Sequence, residues 1–166
     1  MRFVTLAEAL SLIPDPVGMK VRYRFYRKFL KSLGTNVEFQ FGCVLSYKDI
    51  EIGDNVGIGL RSRIGFAKIG SNVMIGQNVI VLSGSLHYGF FRTDKPMYFQ
   101  RDFTGRRRVE IGDDVFIGSG SIIMANVPKG CVIRAGSVIH KKFSEYDIIE
   151  GNPARAIFNR LTRKKQ

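Results

Sequence analysis

An all-β coil of stacked, three-sided turns is the fold class that this sequence predicts, and three observations predict it. Aliphatic residues recur at close to six-residue intervals, at Ile52, Ile58, Ile64, Ile69, Ile75 and Val81 and again at Ile111, Ile117, Ile123, Val127, Ile133 and Ile139. Glycine, asparagine or aspartate stands beside them in phase, as in IGDNV, IGSNV, IGQNV and IGDDV. Neither the period of a helix nor the alternation of a half-buried strand gives this spacing.

One short strand and one turn per repeat would let each aliphatic residue face a common interior, with three repeats closing a triangular turn and stacked turns sharing one core. The Gly, Asn and Asp residues suit the corners, because they tolerate positive φ. Val56, Val73, Val79, Val115 and Ser121 are the small residues predicted to complete the interior. Two steps are short, from Ile64 to Ile69 and from Ile123 to Val127.

Before the repeat, residues 1–34 form a basic amphipathic segment. Met19, Tyr23, Tyr26, Leu30 and Leu33 recur at helical spacing beside a basic stripe of Lys20, Arg24, Arg27 and Lys31, predicting one helix ended by Gly34. Such a helix can cap the open end of the coil or rest on an anionic lipid surface, and the two roles are compatible. The repeat domain is assigned to residues 35–157. The aromatic, basic segment 88–108 lacks the period and reads as a loop protruding from it, and residues 158–166 form a basic tail in a short C-terminal helical segment.

Composition narrows the function classes. The 166 residues, 45% of them hydrophobic, suit one domain. No apolar run reaches the roughly 18 residues of a membrane span, and the first residues lack the features of a signal peptide, so a cytoplasmic protein is expected. Cys43 and Cys131 are far apart without metal-ligand spacing and are expected to be buried thiols, with no metal bound. The net charge of +12 points to an anionic partner, either a phosphorylated ligand, a membrane surface or nucleic acid. No nucleic-acid module is present, which disfavours the last.

The segments VEIGDDVFIGSGSII, RAGSVI and EGNPARAI, together with the repeat, resemble the hexapeptide-repeat acyltransferases, above all the bacterial sugar and polysaccharide O-acetyltransferases. The resemblance implies a left-handed parallel β-helix, a hand opposite to the usual crossover and not readable from the period. It implies acetyl-CoA as donor, a glycan or sugar hydroxyl as acceptor, a role in polysaccharide biosynthesis, and a homotrimer with clefts between subunits. The sequence departs from the family at Phe116, where tryptophan is usual, and at Arg134, where glycine is.

The resemblance also implies site residues. His87, where the first repeat tract gives way to the insertion, matches the family's catalytic histidine, and an imidazole with a reference pKa of about 6.5 is suited to take a hydroxyl proton at neutral pH. The acceptor oxygen would then attack the acetyl carbonyl and expel the CoA thiol, with a backbone N–H as oxyanion donor. Asp94, Asp102 and Glu110 are candidates to orient His87, and Ser85 to bind the acceptor. Gly118, Ser119 and Ala135 match positions along the pantetheine arm. Lys141 and Arg155, with Lys142 nearby, match those at the phosphates. His140 is read as a cleft wall.

Two other readings stand beside this one. A variant enzyme would acylate an amine on an amino-sugar or a serine-type acceptor. A non-catalytic β-helix would bind or scaffold. A zinc site of three histidines is excluded, because the chain has two, His87 and His140.

Overall fold

At two of the three corners of each coil the backbone takes left-handed φ at matching positions. A computed structural model describes residues 3–83, 92–100 and 106–163. At one corner Asn36, Asn55 and Asn72 have φ of 52°, 56° and 59°. Their amides form a ladder, Asn36 Nδ2 donating to Asn55 Oδ1 at 2.9 Å and Asn55 Nδ2 to Asn72 Oδ1 at 3.1 Å. Asp114 and Gly130 take the corner in the next coils. The asparagines of IGDNV and IGSNV thus bend the chain and tie one coil to the next.

Between corners the strands stack in parallel into three sheets. The first holds Ser32–Leu33, Glu51–Ile52, Ala67–Ile69 and Val109–Ile111, and Val127 bridges to Ile111. The second holds Val37–Phe39, Val56–Ile58, Val73–Ile75, Phe116–Ile117, Val132–Ile133 and Asp147–Glu150, with Arg155–Asn159 returning antiparallel. The third holds Val44–Leu45, Arg63–Ile64, Ile80–Val81, Ile122–Ile123 and Val138–Ile139. This is the left-handed parallel β-helix expected.

Every aliphatic residue of the predicted period is buried, as in the column Ile58, Ile75, Ile117 and Ile133, which Phe39 and Ile149, outside that period, extend at its two ends. Each such side chain contributes roughly 2 kcal/mol or more by leaving water. The small residues Val56, Val73, Val79, Val115 and Ser121 are buried with them. Both cysteines take small-residue positions in this core, Cys131 beneath Val115 and Cys43 above Ser62. Burial pushes the Cys43 thiol up to about 12 and Cys131 to about 11.

Length varies at one corner only, where the third sheet returns to the first. Both short steps fall there, and so does the insertion between Val81 and Val109. Insertions are tolerated where they leave the stacked strands in register.

The chain ends differ from expectation. Two helices precede the coil, α1 (Phe3–Ser11) and α2 (Val17–Phe29), where one was predicted. α2 stops at Leu30, which is extended, and not at Gly34. Gly34 instead lies in the first coil, where a Cβ would sit 2.4 Å from the Gly53 oxygen, so its glycine serves coil stacking. The predicted C-terminal helix is absent from the described residues. Arg155–Asn159 is a strand because it completes the edge left by Asp147–Glu150, and a turn follows it.

The helices close the first coil. Tyr26 is buried, and its hydroxyl accepts the Leu45 N–H at 3.1 Å. Arg22, 1% exposed, donates to the carbonyls of Phe39 and Ile13, each at 2.8 Å, and pairs with Asp15. The opposite end closes on Asp147, also buried, which accepts the Ser144 N–H at 2.9 Å and Asn159 Nδ2 at 2.8 Å.

Candidate functional site

The last coils carry most of the predicted binding residues, and their packing explains the residue types. Gly118 follows Phe116–Ile117 and donates its N–H to the Ile133 oxygen at 2.8 Å. A Cβ on Gly118 would lie 2.4 Å from the Ala135 nitrogen, so the two coils meet backbone to backbone. The result is a smooth corner between the second and third sheets. Ser119 and Ala135 are exposed on it, and the Ser119 hydroxyl accepts the Gln77 N–H at 3.0 Å.

Lys141 and Arg155 lie elsewhere, beyond the third sheet. They come together around a cavity of about 540 Å³ that is also lined by Lys142, Phe143, Ser144 and Asp147. Two residues remote in sequence thus converge because the strand Arg155–Asn159 folds back beside the segment that leaves Val138–Ile139. Lys141 lies over the Phe143 ring with its nitrogen 5.6 Å from the centroid. An exposed cationic pocket with one aromatic wall suits phosphate. Within one chain, then, the candidate cofactor residues form two groups, with Gly118, Ser119 and Ala135 on one corner and Lys141 with Arg155 at the other pocket.

His87, Ser85 and Asp102 lie outside the described residues. Of the residues considered for orienting His87, Asp94 is engaged by Arg92, which holds its carboxyl below the usual carboxylate range. Glu110 sits on the outer face of the first sheet, paired with Arg108 at 3.3 Å. Arg108 also reaches Glu51, which Lys31 holds below its ordinary pKa through a 2.7 Å hydrogen bond. His140 is exposed. Arg134, one departure from the family pattern, pairs with Glu150 of the adjacent strand, and Phe116, the other, is 41% exposed on the second sheet.

The residues at the root of the insertion escaped sequence reasoning. Ser83 is buried, its hydroxyl accepting the Phe66 N–H at 3.0 Å and its carbonyl the Arg107 N–H at 2.8 Å. Arg106 lies over the Tyr47 ring at 4.8 Å and over Phe66 at 5.6 Å. Where the insertion rejoins the coil, it is therefore clamped. Its described portion 92–100 exposes Met97, Tyr98 and Phe99.

Comparison with known proteins agrees with this architecture. The family described as "Hexapeptide repeat of succinyl-transferase" matches residues 49–83 and 108–141, the two tracts that flank the insertion. A candidate acetyltransferase of Saccharomyces cerevisiae is 34% identical over 112 residues, covering 58% of this chain and 57% of that protein. The chain thus spans little more than half the length of that relative. Among solved structures, a hexapeptide-repeat acetyltransferase from Vibrio cholerae, complexed with acetyl-CoA, superposes with a TM-score of 0.75 at 24% identity, covering 95% of this chain and 86% of that one. A galactoside acetyltransferase in complex with coenzyme A gives a TM-score of 0.73 at 24% identity, covering 95% and 80%. The chain carries hexapeptide repeats in these two tracts and shares the left-handed β-helix fold of these acetyltransferases.

Proposed function

We propose that the protein is an acetyl-CoA-dependent O-acetyltransferase that modifies a hydroxyl of a sugar or surface-glycan precursor. The observation that carries this reading is the meeting of Lys141 and Arg155 at one pocket. The family resemblance assigns both residues to the CoA phosphates from two different motifs, and the fold brings those motifs to one pocket. The acetyl-CoA and coenzyme A complexes among the structural neighbours support the donor, and the galactoside acetyltransferase supports a sugar acceptor.

In this reading His87 takes the acceptor proton, the acceptor oxygen bonds to the acetyl carbon, and the carbon–sulfur bond breaks to release the CoA thiol. Gly118, Ser119 and Ala135 offer the pantetheine arm a corner without bulky side chains. A site split between this corner and the cationic pocket is completed when copies of the chain associate side by side. The outer surfaces suit such association in a homotrimer, because Met74 and Phe116 on the second sheet and Ile80 on the third are exposed apolar residues. The first sheet, with Glu51, Lys68 and Glu110 facing out, stays polar.

The test is acetyl transfer from acetyl-CoA to a panel of sugar hydroxyls, with amino-sugars and serine included. His87→Ala should lower turnover by roughly 10²–10⁴-fold while the trimer mass and melting temperature stay those of the parent. Unchanged turnover would remove the histidine from the mechanism. Faster transfer to an amine would replace O-acylation by N-acylation.

A further inference from the structure

A second surface, at the end of the molecule closed by the helices, has features that acetyl transfer does not use. α2 has the sequence VGMKVRYRFYRKF and holds no acidic residue. Its packed side carries Gly18, Arg22 and Tyr26, which are buried. On the helical wheel, Val17, Lys20, Arg24, Arg27 and Lys28 fall within a single arc of about 100° on the opposite side. All five are exposed.

Among the described residues, none of these cations forms an ion pair with a carboxylate. Arg27 donates to the Tyr23 hydroxyl at 3.1 Å, and Lys28 lies over the Phe29 ring at 5.6 Å. Lys48 adds a cation beside them, over the rings of Phe3 and Phe29. Aliphatic groups border the arc, since Leu12 is 66% and Val17 63% exposed in and beside the turn that joins α1 to α2. Along its flank runs a shallow groove lined by Met19, Tyr23 and Val37, with Lys20, Arg24 and one carboxylate, Glu38, among its lining residues.

We propose that this arc is a docking face for an anionic lipid bilayer, with α2 lying flat and Leu12 and Val17 entering the headgroup region. Clustered lysine and arginine on one face with aliphatic residues at its margin match what an interfacial helix needs. Single-stranded nucleic acid, the other polyanion the charge could serve, is bound largely by stacking on exposed rings. Here Phe25, Tyr26 and Phe29 are instead packed against one another and against Phe3. Among the described residues no helix is long and apolar enough to cross a membrane, so the contact is peripheral. The inference stands apart from acetyl transfer and would survive the loss of that reading.

Sedimentation of the full chain with vesicles tests it. Vesicles containing about one-third phosphatidylglycerol should bind the protein, pure phosphatidylcholine vesicles should not, and raising salt from about 0.1 M to 0.5 M should release it. Lys20→Glu/Arg24→Glu should weaken binding by about tenfold or more, and Val17→Asp should weaken it as well. Lys129→Glu/Arg163→Glu, the same charge change away from α2, should leave binding close to that of the parent. Unaltered thermal melts will show that the cap is intact, and Lys20→Gln/Arg24→Gln serves if the reversal unfolds it. Equal binding to both vesicle types, no binding to either, indifference to the α2 substitutions, or preference for single-stranded RNA over the anionic vesicles would each overturn the proposal.

Discussion

The two ends of the coil solve the same problem in different ways. Any stack of parallel strands leaves an open edge and an open core at each end. At the first coil, two helices cover both, with Arg22 supplying donors to carbonyls of the coil and of the helix turn while Tyr26 accepts from Leu45. At the last coil the chain itself folds back as an antiparallel strand, pinned by Asp147 and Asn159. Each closure leaves a recess, a shallow groove along α2 at the helical end and a pocket beside the returning strand at the other. The recess beside the hairpin is the one that Lys141 and Arg155 line.

Substitutions at the two closures should separate them, and each coil end carries its own reporter thiol. Arg22→Met should have the largest effect, about 3–5 kcal/mol in denaturant unfolding, because it takes the donor from the Phe39 and Ile13 carbonyls and leaves Asp15 with the Phe41 N–H but no cation. Native-state labelling of Cys43, in the first coil, should accelerate with it while Cys131 stays protected. Equal acceleration at both thiols would mean that the coil opens as one unit. Asp147→Val restores the aliphatic column but takes the acceptor from the Ser144 N–H and leaves the Asn159 amide with the Glu145 carbonyl alone, for a smaller loss of about 1–3 kcal/mol. It should expose Cys131, which touches the Ser144 carbonyl at 3.3 Å, before Cys43. In the parent, neither thiol should react at pH near 8, since burial raises the pKa of both and keeps them protonated.

The same contrast explains what the sequence could say. The middle of the coil is legible down to single residues, because a column of Ile58, Ile75, Ile117 and Ile133 is a repeat written in the chain. The ends are not, because each depends on an exception to the repeat. Arg22 looks like one more surface cation within a basic stretch, yet it is among the most buried large side chains. Asp147 occupies a position that earlier coils give to valine or cysteine, and its partner Asn159 lies in a segment expected to be helical. Pairing across a hairpin has no local signature there, and Arg155–Asn159 is a strand only because Asp147–Glu150 offers it an edge.

The candidate site divides similarly. Gly118 and Ala135 were found through motifs, and coil stacking accounts for them. The convergence of Lys141 and Arg155 required the fold. The clamp of Arg106 on Tyr47 and Phe66 joins residues from three separate segments, and no spacing rule would have flagged it.

The most direct measurement is a calorimetric titration of the protein with acetyl-CoA and with its analogue lacking the 3′-phosphate, repeated on Lys141→Ala/Arg155→Ala. Saturable binding of one acetyl-CoA per chain is expected, weaker for the analogue, with the double substitution weakening acetyl-CoA and abolishing most of the difference between the two ligands. A folded protein that binds neither, or whose preference for the 3′-phosphate survives the double substitution, would contradict the assignment of this pocket to the phosphates of the donor.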